Sequence, residues 1–518
     1  MRIVLIATQT VPVALGLRHI SSYLKAAGHD MQIVFLHARG KNHDIEFDAP
    51  ELEPLFELCR SAELIGLSVM TSGYYKACAL TEGIRRRGIN APVIWGGTHP
   101  TVAPEESLEV ADAICRGEGE EPMRQLVECL ATGRDPTSTP GFSFRAGGRF
   151  GNAEKIVNAV MPLTKSLDDY PFPDYDLDTH WVLHEGELKR ARPELLGSAL
   201  QRLRVSTTRG CPCSCTFCNN TVWQELYRGK GRWVRKRSNE SIVSEIKSMI
   251  ARFPSIESVN IIDDLFLVRS EPVLEDFVRV WNREIRLPLE IDVFPNTVTE
   301  AKVRILSRLP LRLISMGIQS GSPHTLAEVY NRPTSIEQIS RCIDLFHKYG
   351  LRAEYHYIFG NPYESEENVI ESMRFVASHH KGPAVLRVFP LIFYPGSPLY
   401  KRALADDLIG KHHDDAYAPR YTWKRLLARY DYLAMWLDIV LQLRNAMLPS
   451  WLVHRLIDVV TSRPVRACLD HRVFLPLLLI AREGLRRIGK AMTEMPALRR
   501  RPPATEDTSP AVAGANVS

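Results

Sequence analysis

No stretch of this 518-residue chain stays apolar long enough to cross a bilayer. The longest apolar run, Val473 to Ala481, covers about half of a hydrocarbon core and is broken by Pro476, which argues against a spanning helix. Charge of one sign is also scarce. The 65 basic residues face 60 acidic ones in mixed order, and the resulting +5 is too weak to argue for a nucleic acid partner. The start, MRIVLIATQT, lacks the apolar length and small-residue cleavage site of an export signal and reads as a first strand. A cytoplasmic location is therefore expected, where ten cysteines serve metal binding or catalysis rather than disulfides. Solenoid-type repeats are absent.

What is present is an α/β rhythm. Up to about residue 130, short β-rich runs (RIVLIA, MQIVFL, LIGLSV, PVIWGG) alternate with helical stretches such as Leu17 to Ala27 and Tyr75 to Arg87, which predicts a parallel sheet covered by helices. Ligands of such sheets sit beyond the carboxyl ends of the strands, here the loops after Leu67, Trp95 and Ile114. Residues 1–140 form this first domain. Residues 141–200 read as a hairpin turning at Gly147 and Gly148, followed by a proline-rich linker, LDDYPFPDYDL. Residues 201–400 carry a second βα rhythm that fits a parallel β/α barrel or part of one. From 401 to 495 the pattern is helical, with Trp423, Leu426, Leu427, Tyr430, Leu433, Leu437, Val440 and Leu441 on one face. The segment 496–518 has no apolar periodicity and is expected to be disordered. The basic stretch REGLRRIGK reads as an amphipathic helix on the barrel, with contact to a membrane or lipidic substrate as the alternative.

The densest chemistry lies in STTRGCPCSCTFCNN, residues 206 to 220. Cys211, Cys215 and Cys218 give C-x-x-x-C-x-x-C directly after a strand-like segment. Three thiolates suit three irons of a cubane cluster and leave the fourth iron open to a non-protein ligand. A structural zinc site is the alternative, but it wants four ligands, and no second CxxC or HxxxH follows. Cys213 is an extra thiol.

RGCPCSCTFCNN, with the aromatic Phe217 just before the last cysteine, resembles the cluster loop of the radical S-adenosylmethionine superfamily. Four further segments extend the likeness. IIDDLFL places Asp263 and Asp264 at a strand end, where either acid also suits a helix cap. GIQSGSPHTLAEVYNRPTS carries Gln319 and Ser320, and FGNPYESEENV and FYPGSPLY look like later strand ends. The resemblance implies a 4Fe-4S cluster on Cys211, Cys215 and Cys218, with S-adenosylmethionine held by Phe217, Asp263, Asp264, Gln319 and Ser320.

Upstream, VIWGGTHPTVAPEE and ICRGEGEEP resemble the cobalamin-binding domain of cobalamin-dependent radical enzymes. This implies a Rossmann-like domain, followed by a partial (β/α)6 barrel of the TIM type and an α-helical region. It also implies cobalamin near Ser68, Thr71, Gly96, Gly97, His99, Gly117, Glu118 and Gly119, with His99 also readable as structural because Pro100 follows it. No D-x-H-x-x-G string occurs in residues 1–150, so no histidine is expected on cobalt.

The family likeness then implies an enzyme that cleaves S-adenosylmethionine to a 5'-deoxyadenosyl radical and methylates an unactivated carbon of a small molecule from methylcobalamin. The alternatives are oxidative cyclisation, as in anaerobic magnesium-protoporphyrin ester cyclases, and a non-enzymatic cobalamin or redox sensor. An electron donor such as flavodoxin or ferredoxin is implied. In the strand RAEYHYIFG, alternation puts Tyr355 and Tyr357 on one face and His356 on the other, and the two phenols are assigned to the lumen as candidate catalytic groups.

Overall fold

A computed structural model describes residues 1–9, 12–36, 47–380, 384–410, 414–417 and 432–469, and 480–488 without 482 and 486. The expected helix-face residues Trp423, Leu426, Leu427 and Tyr430, and the expected tail 496–518, lie outside the described residues.

The first sheet contains β1 (Arg2–Ala7), β2 (Asp30–Phe35), β3 (Leu64–Ser68), β4 (Val93–Gly96), β5 (Ala113–Cys115), β6 (Phe142–Phe144), β7 (Ile156–Val157), β8 (His180–His184) and β9 (Glu187–Arg190). Their order is β7-β6-β5-β4-β3-β1-β2-β8-β9, with β1 to β5 parallel. RIVLIA is apolar without alternation because both faces of β1 are covered. Ile3 and Leu5 enter one core, Val4 and Ile6 the other. The chain leaves β1 toward β2 on one side and returns to β3 on the other. The crevice between the carboxyl ends of β1 and β3 is therefore the topological switch point where such sheets take ligands.

Residues 141–200 prove more than a hairpin and linker. β6 and β7 extend one edge of the sheet antiparallel, β8 pairs parallel with β2 at the other edge, and β9 folds back on β8. The strand that returns to β6 is Ile156–Val157, beyond the expected 141–150 segment. These strands are two to five residues long, and their partners lie far away in sequence.

The second sheet has six parallel strands in the order β10 (Arg202–Val205), β13 (Ser258–Ile261), β14 (Leu289–Val293), β15 (Leu311–Gln319), β16 (Ala353–Phe359) and β17 (Val385–Pro390). This is the partial barrel. A short antiparallel pair, β11 (Thr208–Arg209) and β12 (Arg235–Lys236), stands at its mouth. Ser335 with Gln338, and Ser365 with Asn368, form capping boxes that start the helices after β15 and β16. At the open edge, Asn445 accepts from Leu386 N at 3.0 Å and donates to its carbonyl, so the helix Tyr432–Asn445 closes the exposed ladder of β17. Leu433, Leu437, Val440 and Leu441 are buried as expected, but so are Met435, Trp436 and Ile439 on other faces, because the helix is packed on several sides. No helix among the described residues is long and apolar enough to cross a membrane.

Candidate active site

The cysteine loop is fixed before its first cysteine. Asp263 accepts Thr207 N at 2.6 Å and Thr208 N at 2.8 Å, bonds the Thr207 hydroxyl, and lies 3.5 Å from the buried Arg269. These bonds orient the chain out of β10, so the structure places Asp263 in a supporting position beneath the cysteine loop, buried at 3% exposure. After the loop, Trp233 Nε1 donates to the Cys211 carbonyl at 2.7 Å, and the Thr216 backbone N–H donates to the Tyr330 carbonyl at 3.0 Å.

Cys211, Cys213, Cys215 and Cys218 lie within electrostatic reach of one another. Burial pushes the Cys218 thiol up to about 12 and raises Cys215. Cys211 is raised chiefly by its hydrogen bond to Cys213, and the same bond lowers Cys213. No three His, Cys, Asp or Glu side chains among the described residues converge on one ion. The thiolates of a cubane each take a different iron, so four neighbouring soft donors fit a cluster better than a single metal.

One residue unread in the sequence is Arg332. It is 7% exposed, its guanidinium lies over the Phe294 ring, it bonds the Gly317 carbonyl, and its Nη1 stands 3.8 Å from Cys215 Sγ. Burial lowers its pKa and the cysteines oppose that shift. Its Nε has no partner. A buried fork with spare donors beside the cluster loop suits a carboxylate. Gln319, at φ +76°, ends β15 at a bulge beside Gly317. Ser320 is buried among Glu364, Ser372 and Ser322 N–H, a structural cluster. Phe217 packs edge-on against Tyr330 at 4.9 Å.

A cavity of about 610 Å³ joins the two domains. From the first sheet it is lined by Ser68, Gly96, Gly97, Gly117, Glu118 and Gly119, and from the barrel by Arg204, Ser206, Asn219, Asn220, Trp233 and Asp264. Its size is that of a small-ligand site, and it opens over the carboxyl ends of the first sheet. Asp264 reaches solvent through the cavity while protein surrounds it, and that burial raises its carboxyl above the ordinary range. Gly97, at φ +101°, would bring a β-carbon to 3.0 Å from the Val69 carbonyl.

Two expected cobalamin residues lie outside this wall. His99 is fully buried, with Nδ1 3.4 Å from Thr71 Oγ1 and Nε2 3.2 Å from Glu106, and its ring lies against Tyr74 and Tyr417. Burial holds it near about 4, so it is a neutral core histidine, and Thr71 is its neighbour. Glu118 lines the cavity, but its carboxylate is committed to Arg209 and Arg235 of the barrel mouth. His19, in the second turn of the helix Leu15–Ala26, does line the cavity; burial and then Arg209 lower it to about 4, and its Nδ1 is unpartnered.

In the barrel, the assignment of Tyr355 and Tyr357 to the lumen is reversed. Both are buried in the apolar core, and Tyr355 sits near Cys342 and Asp344 of the helix Ile336–Lys348. The apolar gain from burying two rings outweighs the difficulty of their hydroxyls. Alternation then turns Glu354 and His356 inward, 2.8 Å apart, with Arg387 on Glu354 and the Phe389 ring edge-on to His356. Asp292 joins this face, its carboxyl raised by burial.

Comparison with known proteins finds two family matches along the chain. Residues 1–127 match the B12 binding domain and residues 205–376 the radical SAM superfamily. An uncharacterized methyltransferase of Pyrococcus horikoshii is 26% identical over 76% of this chain and 79% of its own. The anaerobic magnesium-protoporphyrin IX monomethyl ester cyclase of Rubrivivax gelatinosus is 25% identical over 69% of this chain and 60% of its own. The solved structure of the cobalamin-dependent S-adenosylmethionine radical enzyme OxsB with aqua-cobalamin shares the fold at a TM-score of 0.67 and 14% identity, over 95% of this chain and 80% of that one.

Proposed function

We propose that this chain, which belongs to the cobalamin-dependent radical S-adenosylmethionine enzymes, transfers methyl groups to a carbon of a polar small molecule. The observation that carries the proposal is the single cavity walled by the cobalamin-domain strand ends on one side and by the loop around the cluster cysteines on the other. When bound, the cluster with S-adenosylmethionine supplies a 5'-deoxyadenosyl radical, and cobalamin supplies a transferable methyl group. The protein's part is to hold, orient and shield.

In this reading Cys211, Cys215 and Cys218 hold the cluster, and Arg332 takes the carboxylate of S-adenosylmethionine. Asp264 and Gln319 are its remaining polar contacts, while Phe217 shapes the loop beside it. Ser68, Gly96, Gly97 and Gly119 form the floor against cobalamin. The barrel closes the space from water, which protects a radical from other hydrogen donors. The lumen face supports a polar substrate rather than a lipid, because Asp292, Glu354, His356 and Arg387 share it. A small electron donor of the flavodoxin or ferredoxin type fits the need for a low-potential electron. We place the chain in the cytoplasm, where thiols such as the nine free cysteines among the described residues stay reduced.

The test uses chain reconstituted anaerobically with iron, sulfide and hydroxocobalamin, then given S-adenosylmethionine with a deuterated methyl group and a low-potential reductant. The label is expected on cobalamin, with S-adenosylhomocysteine as co-product. Deoxyadenosine formation with no label ever reaching cobalamin rejects methyl transfer and leaves the cyclase-type chemistry standing.

A further inference from the structure

At the seam between the domains lies an ion cluster that binds none of the groups assigned above. Arg209, two residues before Cys211, meets Glu120 at 2.6 Å and Glu118 at 3.2 Å. Arg235, across the β11–β12 pair, also holds Glu118. From the other side, Tyr227, just past the helix Asn220–Leu226 that follows the cysteines, accepts the Glu118 N–H at 2.6 Å. Arg235 and Glu120 are buried and Glu118 and Arg209 half-buried, with side chains 2%, 4%, 14% and 21% exposed. Gly117, Glu118, Gly119, Glu120 and Arg209 also line the cavity.

Adhesion alone does not account for this arrangement. Desolvation cancels much of what a buried ion pair gains, and well-packed apolar residues would join two domains as firmly. A guanidinium fork shared by two carboxylates adds direction, because its planar donors fix both distance and angle. Here the fork stands on the strand that leads into the cluster loop, and the carboxylates stand on the loop that faces the first sheet's ligand space (Glu118) and on the first residue of the helix Glu120–Ala131 that follows it.

We propose that Arg209, Glu118, Glu120, Arg235 and Tyr227 form a latch that fixes the cobalamin-side loop to the cluster loop and so sets the separation of the two cofactors. The inference rests on the reading that both cofactors bind. These are positioning residues: they hold the backbone on which each cofactor's own contacts sit, and reactions between held groups lose rate steeply with small misplacement.

The experiment measures the distance between cob(II)alamin and the reduced cluster, both paramagnetic, by pulsed electron paramagnetic resonance, with no substrate needed. Three variants are compared with wild type. Arg209→Lys keeps the charge and loses the fork, Tyr227→Phe loses the bond to Glu118, and Arg209→Gln with Glu120→Gln removes the pair without stranding a charge. Wild type is expected to give one narrow distance, and the variants a broader or longer distribution at unchanged iron and cobalamin content. Hydrogen exchange of the apoprotein adds a cofactor-free arm, in which the Glu118 amide exchanges faster in Tyr227→Phe. Wild-type distance and width in Arg209→Lys and Tyr227→Phe overturn the latch, whether or not the double variant folds. A wild-type chain that takes up only one cofactor overturns the functional reading instead, and the content measurement tells the two failures apart.

Discussion

The Tyr227 phenol oxygen accepts the backbone N–H of Glu118 at 2.6 Å, and a β-carbon on Gly117 would run into that same oxygen. The glycine that sequence reading gives to a bound cofactor is therefore also required by a tyrosine of the next domain. Gly117 sits at φ +83°, so Gly117→Ala combines left-handed strain with the collision. The expected loss is roughly 2–4 kcal/mol in the unfolding free energy of the apoprotein. Tyr227→Phe, which removes one hydrogen bond, is expected to cost about 1 kcal/mol. Wild-type stability in Gly117→Ala would show that the phenol moves aside freely.

Cluster content should depend on three of the four neighbouring cysteines. Thiolates dominate the affinity, so Cys211→Ala, Cys215→Ala and Cys218→Ala are each expected to lose most bound iron and the visible charge-transfer absorption. Cys213→Ala should keep both. Loss of the cluster in Cys213→Ala with retention in Cys215→Ala would reverse the ligand assignment.

Cob(II)alamin bound to the chain is expected to show no superhyperfine splitting from an axial nitrogen. His99 is enclosed by Thr71, Glu106, Tyr74 and Tyr417, and no D-x-H-x-x-G string precedes residue 150. The described histidine in the cavity wall is His19. If nitrogen splitting appears and vanishes in His19→Ala, the base-free reading gives way to ligation by His19.

How far the sequence was legible followed the range of the contacts involved. The cysteine spacing and the strand–helix rhythm are local, and both reappear in the fold. Arg332 escaped because its place beside Cys215 arises from a contact 117 residues apart. Glu118 looked like part of a cofactor loop because its partners Arg209 and Arg235 belong to another domain. The strands β6 to β9 are short and gain their pairing from edges of a sheet made earlier in the chain. Alternation correctly separated His356 from its neighbouring tyrosines, but alternation is blind to which face is the lumen.

The buried His99 makes stability depend on pH. Burial depresses its folded-state pKa from 6.5 to about 4. Between those values the unfolded chain binds a proton that the folded chain refuses, so stability is present above the unfolded pKa and declines as pH falls toward 4. The expected loss for one such group is on the order of 3 kcal/mol across that window. His99→Gln keeps a polar contact for Thr71 and does not titrate, so its unfolding midpoint should fall less between pH 7 and about pH 5 than that of wild type. Equal slopes in the two proteins would remove His99 as the source.

The reversal at β16 gives the sharpest contrast between neighbouring residues. Tyr355 and Tyr357 pack in the core at 2% and 1% exposure, whereas the His356 side chain is 27% exposed beside Glu354. Tyr355→Ala should therefore cost about 3–5 kcal/mol, the usual range for emptying an aromatic site in a core. Tyr355→Phe and Tyr357→Phe keep the packed ring, so cleavage of S-adenosylmethionine and labelling of cobalamin should stay at wild-type rates. His356→Leu removes a polar lumen group held by Glu354 and leaves the core intact. It should keep wild-type cluster and cobalamin content, lose about 1 kcal/mol of stability with its 2.8 Å bond to Glu354, and lose methylated product, as expected for a lumen group that positions the proposed substrate. Loss of product in Tyr357→Phe, with His356→Leu unaffected, would return the lumen to the phenols and require the strand to sit the other way round.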